Sequence, residues 1–363
     1  MRIIATRLLV PMKFFPFLPV LCLIPPVFLA ADSVDLSLSP AQEQLRAVLA
    51  AKVQVLETKN AAAYSEGDGW LFFGAELRLL SLGRFWGGEA LSVSRSHKRE
   101  LADPFPAIVD FHEKLKAHGI ELLLVPVPPK AAIYPEKFLT SFDVRTEDSA
   151  PVLHRFYGEL RSAGIEVLDL MPMMIQKKEQ SPDLLFCKTD THWSGAGCVL
   201  AAHAIAEKIR DKTSSAVPQK DFVSEWREVK ITGDLVGLLP PDTQKPGSEK
   251  IRVRRINEKG SEVAIEPDHN SPVLLLGDSH TLVFHDFLSD RAGLLDQLAF
   301  ELGFAPDLIG TRGSGATPVR ISLYRASVKD PSYLAKKKIV VWCFGAREFS
   351  EASEGWAKIP VGK

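Results

Sequence analysis

"VLLLGDSHTLVFHDF", residues 273–287, sets four consecutive apolar residues against a glycine, an aspartate, a serine and a histidine. An unbroken apolar run, without the polar alternation of a half-exposed strand, fits a parallel strand covered on both faces. Gly277 then turns the chain, and Ser279 stands where the strand hands over to a helix or loop. In open parallel sheets chemistry gathers at the C-terminal strand edge, where a serine oxygen can project and the following backbone N–H groups can receive negative charge. The same residues Gly277, Asp278 and Ser279 also suit an ordinary turn with a capping side chain. Context elsewhere in the chain has to decide between the two.

Two upstream segments share a grammar. Residues 103–130, "DPFPAIVDFHEKLKAHGIELLLVPVPPK", read as an amphipathic helix, a glycine stop, an apolar strand and a Pro-rich loop; residues 152–174, "VLHRFYGELRSAGIEVLDLMPMM", repeat the order. The pattern returns after residue 287 as a helix over about 291–302, a loop "IGTRGSGATPVR", a short helix over about 321–326 and a last apolar strand in "KKIVVWCFG". Strands apolar on both faces need cover on both sides, so the expected fold is α/β, a parallel sheet with helices on both faces. Residues 221–270 break the pattern with short alternating pieces rich in Gly, Pro and Asn, and are expected to form a polar insertion. A helix over 38–62, with Ser39 as its cap and Pro40 in its first turn, precedes the sheet pattern. The resulting division is 1–31 export signal or membrane anchor, 32–63 helical segment, 64–349 catalytic domain and 350–363 tail.

Composition limits the function classes. The chain has 363 residues, 46% of them hydrophobic, enough to bury a sizeable core. Its 44 basic and 45 acidic side chains nearly cancel, which argues against a nucleic-acid partner. Arg2, Arg7 and Lys13 flank or interrupt apolar runs that lead to small residues at Ala30 and Ala31, the pattern of an export signal that is either cleaved or kept as an anchor. The later sequence holds no second such segment, which excludes a multispan transporter. Cys187 and Cys198 bracket a polar cluster and are open to either a bridge or two buried thiols, with Cys343 left over. No metal-ligand spacing accompanies them, and no metal or cofactor is expected.

That polar cluster is "CKTDTHWSGAG", residues 187–197. A serine hydroxyl is a weak nucleophile and needs a base, usually an imidazole held by a carboxylate. Asp190 and His192 offer both within three residues, just before a helix capped near Ser194. The competing bases are His280, His285 and His203, of which His285 is the strongest rival. His192 and Asp190 would equally serve as a structural imidazole and a capping carboxylate.

Taken together, "GDGWLFF" (67–73), "LLVPVPPKAAIYPEKF" (123–138), "KTDTHWSGAG" (188–197) and "LLLGDSHT" (274–281) resemble the alginate O-acetyltransferase family, exported SGNH-hydrolase-like proteins that O-acetylate exopolysaccharides. The likeness spans about 64–349 and is nearer to the shorter members without a C-terminal carbohydrate-binding module. It implies Ser279 as nucleophile, His192 as base and Asp190 as its partner, with the motif order rearranged relative to ordinary SGNH hydrolases, whose nucleophile comes first. Gly313 or Gly315 then stands for the second SGNH block as an oxyanion donor. Arg347 occupies a polar place where the third block has asparagine, as a charged donor or as a strut paired with Glu348. Aromatic Tyr134, Trp193 and Trp342, with cationic Lys130 and Arg312, are candidates for saccharide contacts. The setting implied is the periplasm, with a polysaccharide acceptor and a membrane protein that supplies the acyl group. A carbohydrate acetylesterase, or a catalytically silent polysaccharide-binding scaffold, is the alternative.

Overall fold

A computed structural model describes residues 37–213 and 217–362; the export or anchor segment expected at 1–31 lies outside them. The strands are β1 (Ala63–Ser65), β2 (Leu71–Phe73), β3 (Glu121–Val127), β4 (Glu166–Val167), β5 (Phe222–Ile231), β6 (Glu249–Glu258), β7 (Val273–Gly277), β8 (Asp307–Gly310) and β9 (Ile339–Gly345). Five of them form one sheet in the order β4-β3-β9-β7-β8, and every pairing in it is parallel. Each residue of β7 and of β9 is buried, as the unbroken apolar runs require when helices cover the sheet. β4 is shorter than its sequence suggests: it is an edge strand, and only Glu166 and Val167 pair with β3 before the chain turns into the next helix.

The register brings three strand ends together. Val127 of β3 lies opposite Gly345 of β9, and Gly277 of β7 lies opposite Cys343. The turns after β3, β7 and β9 therefore share one edge of the sheet. Gly277 is required there, because a Cβ would overlap the Cys343 carbonyl oxygen and the methyl of Thr281.

Residues 221–270 contain a two-stranded antiparallel ribbon, β5 with β6, outside the main sheet. The ribbon does not stand free. Ile256 packs with Ala299 and Phe300 of helix Leu294–Leu302, and Arg254 donates to Gln297 of the same helix at 2.8 Å. Helix Gly195–Thr213 begins at Ser194, whose hydroxyl accepts from Gly197 N at 3.2 Å, so the expected cap is present. Helix Thr317–Lys329 runs beyond the expected 321–326, with a proline in the first turn where no backbone donor is needed.

The first described helix, Pro40–Thr58, has a capping box between Ser39 and Gln42 and belongs to the same compact unit as the sheet, which extends over Leu38–Lys363. The stretch read as a tail also returns to the core. Trp356 stacks on Phe349, its indole N–H donates to Glu348 O at 3.1 Å, and Ala357 N donates to Thr317 Oγ1 at 3.1 Å. Its apolar residues Trp356, Ile359 and Val361 are buried, which accounts for the packing. Among the described residues no helix is long and apolar enough to cross a membrane.

Candidate active site

Ser279 opens the short helix Ser279–Leu282 directly after β7. Asp278 fixes this turn to the neighbouring strand end: its carboxylate accepts from Gly345 N at 2.8 Å and from His280 N at 2.9 Å. Burial alone would raise the Asp278 pKa. His280, Arg347 and the Gly345 N–H outweigh it and bring the value down to about 2, so the turn is built on a carboxylate anion.

The upstream loop reaches the same edge. His192 Nε2 lies 2.8 Å from Ser279 Oγ, and His192 Nδ1 lies 2.6 Å from Asp190 Oδ1. Asp190 and His192 are buried, whereas Ser279 is only partly so. Burial opposes the charge on Asp190, but the hydrogen bond from His192 Nδ1, with the backbone N–H groups of His192 and Asp234, holds its pKa at about 2. An ionised carboxylate only accepts, so Nδ1 carries the proton and Nε2 is left to accept from the serine hydroxyl. This arrangement can draw a proton from Ser279 while Asp190 orients the ring.

What holds the loop was not visible in its own sequence. Asp234, just beyond β5, donates its backbone N–H to Asp190 Oδ2 at 2.9 Å. Its carboxylate accepts from Thr191 N at 2.8 Å and from the Thr191 hydroxyl. Glu249, the first residue of β6, accepts from Lys188 N and Thr189 N, each at 2.9 Å, and from Thr189 Oγ1 at 2.7 Å. Gly233 lets the two segments meet, since a Cβ there would overlap the Thr189 carbonyl. The polar insertion is thus the outer clamp of the Asp190–His192 loop. Asp190, His192 and Asp234 also place one potential ligand atom each within 4.8 Å of one another. All three are engaged in the bonds just described, and the pattern is that of a hydrogen-bonded relay.

Lys130 is the inner clamp, which corrects its reading as a saccharide contact. Its side chain is wholly buried, and Nζ donates to Leu71 O at 2.8 Å, to Asp190 O at 2.7 Å and to Lys188 O at 3.4 Å. Burial lowers its pKa, and Glu76 works against that shift. Each buried carbonyl deprived of its donor costs about 1–3 kcal/mol, so this ammonium is a structural requirement of the loop.

Three aromatic candidates are corrected on the same ground. Trp193 and Trp342 are fully buried, and Tyr134 nearly so. Trp342 donates its indole N–H to Gly315 O at 2.8 Å, the Tyr134 hydroxyl accepts from Leu185 N at 2.9 Å, and Trp193 packs edge-on against His280. Their rings fill the space between strand ends and loops and have no face open to a sugar. Arg312 is different. It is exposed, its guanidinium lies 4.6 Å from the Phe287 ring centroid, and Phe287 meets the His192 ring edge-on at 5.6 Å. It pairs with Asp286 at 2.8 Å and stands on the rim of the site.

The oxyanion candidates separate by position. Gly315 is buried against the serine turn, where a Cβ would sit 3.0 Å from Asp278 Cβ and 3.2 Å from Asp278 N. Gly313 is exposed, two residues further out, with φ +115°. Arg347 is buried with Nη1 3.6 Å from Glu76 and its guanidinium 5.4 Å from the Phe73 ring. Burial disfavours its charge, yet Asp278, Glu76 and Glu348 raise its pKa. It pairs with Glu76 by charge, while its buried Nη1 has no hydrogen-bond partner among the described residues; Glu348, the partner expected from the sequence, instead accepts from the Ser314 hydroxyl.

The rival bases are occupied elsewhere. His285 Nδ1 lies 3.0 Å from Asp296, His203 is exposed beside Glu301, and His280 Nδ1 faces Asp278 at 3.2 Å. Cys187, Cys198 and Cys343 are separate buried thiols, which resolves the open choice at Cys187 and Cys198 against a bridge.

Comparison with known proteins matches residues 66–295 to the family described as "SGNH hydrolase-like domain, acetyltransferase AlgX". Among curated proteins, one named "Probable alginate O-acetylase AlgJ" from Pseudomonas aeruginosa is 30% identical over 176 residues, 48% of this chain and 40% of that protein. Its namesake from Pseudomonas putida is 27% identical over 245 residues, 65% of this chain and 60% of the relative. The chain thus spans about half the length of these relatives. Among solved structures, the O-acetyltransferase domain of Pseudomonas putida AlgJ superposes with a TM-score of 0.59 at 23% identity, over 80% of this chain and 92% of that one. Pseudomonas aeruginosa AlgX gives 0.56 at 18% identity, over 85% and 66%. Both likenesses are of fold, which the family match describes as SGNH hydrolase-like.

Proposed function

The chain belongs to the family of SGNH hydrolase-like acetyltransferase domains typified by AlgX, and from that membership we propose that it is a polysaccharide O-acetyltransferase working through an acetyl-Ser279 intermediate. The observation that carries the reading is the continuous relay from Asp190 through His192 to Ser279, with separations of 2.6 Å and 2.8 Å.

In the first half-reaction Ser279 Oγ attacks the carbonyl carbon of an acetyl ester while its proton passes to His192 Nε2. The tetrahedral oxyanion collapses, the bond to the donor oxygen breaks, and His192 returns the proton to that oxygen. In the second half-reaction a sugar hydroxyl gives its proton to His192 and attacks the acetyl-serine carbonyl; the bond from that carbon to Ser279 Oγ breaks, and His192 passes the proton to Oγ. The Ser279 turn and the adjoining Gly315 loop are the oxyanion side of the site. Arg312 on the rim, with its exposed guanidinium, is the remaining candidate for contact with the acceptor. The relatives' names support a glycan acceptor such as alginate, and the basic and apolar N-terminal sequence supports export to the periplasm. There the acetyl group has to arrive from a membrane acyl-donor protein, either to a soluble enzyme or to one held at the inner membrane.

Purified protein supplied with an acetyl ester and a panel of neutral and anionic oligosaccharides should yield acetylated sugar, lost in Ser279→Ala. Mass spectrometry that finds acetate alone, at a rate indifferent to every saccharide, would reassign the site to an esterase.

A further inference from the structure

We propose that the β5–β6 ribbon carries a glycan subsite, in which Trp226 stacks against a pyranose ring of the acceptor chain; this rests on the polysaccharide reading above. Trp226 is the exception among the tryptophans discussed: its relative exposure is 39%, while Trp193, Trp342 and Trp356 are buried. A large ring left in water on a two-stranded ribbon does not serve the core. It lines a groove of about 490 Å³ between the ribbon and the segments 182–188 and 194–196 that flank the Asp190–His192 loop, on a scale that accommodates a ligand of sugar size.

The groove has the mixed chemistry that a pyranose needs. Trp226 offers an apolar platform for ring C–H groups, and the Arg252 guanidinium lies 5.1 Å from its ring centroid. Asp183, Lys188 and Glu228 add donors and acceptors along the walls. Arg252 covers one face of the Trp226 ring and lies 3.9 Å from Asp183; with its side chain 56% exposed, the edge of the guanidinium can bond to a ligand beside the ring.

The location ties the groove to the reaction. Lys188 and Ser194, which bracket His192, both line it, as does Glu249, which binds Lys188 N and Thr189 N. A chain held on Trp226 is therefore held by the same ribbon that clamps the catalytic loop. Asp190, His192 and Ser279 do not line the groove, so a chain bound there sits beside the catalytic loop and leaves the serine clear. The groove also gives this sequence a sugar-binding aromatic after the burial of Tyr134, Trp193 and Trp342 removes the other three.

The test is tryptophan-indole NMR on the whole protein, titrated separately with a mannuronate hexasaccharide and with cellohexaose, so that the two arms distinguish acidic from neutral chains. The Trp226 indole signal, assigned by its loss in Trp226→Ala, should shift with at least one probe. Trp226→Ala should weaken binding of that probe by about tenfold or more, as truncation of a central aromatic contact does, and Trp226→Tyr should restore most of it. An unshifted Trp226 signal with both probes, or equal affinity in Trp226→Ala, would overturn the subsite. Should Trp226 bind a probe while no sugar is acetylated, the subsite stands and the transferase reading is the one that fails.

Discussion

Ser279→Ala is expected to lower acetyl turnover by at least about ten-thousandfold, because removing the nucleophile of a coupled relay costs nearly as much as removing the relay itself. The residual rate comes from binding and from the oxyanion donors, which the substitution leaves in place. The fold should tolerate the change. Ser279 is partly exposed, and the turn around it is held by Asp278 through Gly345 N and His280 N, not by the serine hydroxyl. An unchanged urea midpoint beside lost turnover, measured with the same acetyl ester, separates the chemical role from a structural one. Turnover within tenfold of the parent would place the nucleophile elsewhere.

Asp190→Asn should lower turnover by roughly a thousandfold to ten-thousandfold, through the tautomer of His192. Asp190 Oδ1 accepts from both His192 N and His192 Nδ1, at 3.0 Å and 2.6 Å. An asparagine that turns its amide N–H toward Nδ1 moves the imidazole proton to Nε2, where it faces Ser279 and blocks proton withdrawal. The pH dependence has a definite sign. Because the folded Asp190 pKa lies at about 2, below the ordinary carboxylate value of about 4, its ionised form stabilises the fold above about pH 4. That contribution is lost as pH falls through the interval down to about 2. Acid unfolding followed from pH 5 to pH 2 should therefore be less steep in Asp190→Asn than in the parent. His285→Ala, whose ring serves Asp296, should have far less effect on turnover than either substitution. A dead His285 variant beside a live His192→Ala variant would reverse the assignment of the base.

The central strands and the relay were legible because each rests on a short-range signal. The apolar run 273–276 requires a doubly covered strand, and the three-residue spacing of Asp190 and His192 lets one loop carry both groups. The clamps were not legible. Asp234 and Glu249 lie in an insertion whose composition marks it as polar surface, and their role depends on where that insertion returns. Lys130, Tyr134, Trp193 and Trp342 misled for a different reason. Cationic and aromatic side chains suit both saccharide contacts and buried packing, and residue type alone does not say which neighbours close over them. Trp226 carries no signal of its own in the sequence, since nothing in "SEWREVK" separates a ribbon tryptophan that faces water from one that faces the core. Arg347 fell between: the resemblance to the third SGNH block pointed to it, but its neighbour Glu76 comes from a distant part of the chain.

The most direct measurement is the site of covalent acetylation. Brief exposure of the purified protein to an activated acetyl ester, followed by acid quench, intact-mass analysis and peptide mapping, should find one acetyl group on the peptide bearing Ser279. The adduct should accumulate when no acceptor is present and decay faster when an acceptor oligosaccharide is added. Acetyl on a different residue, or equal labelling of Ser279→Ala, would contradict the account.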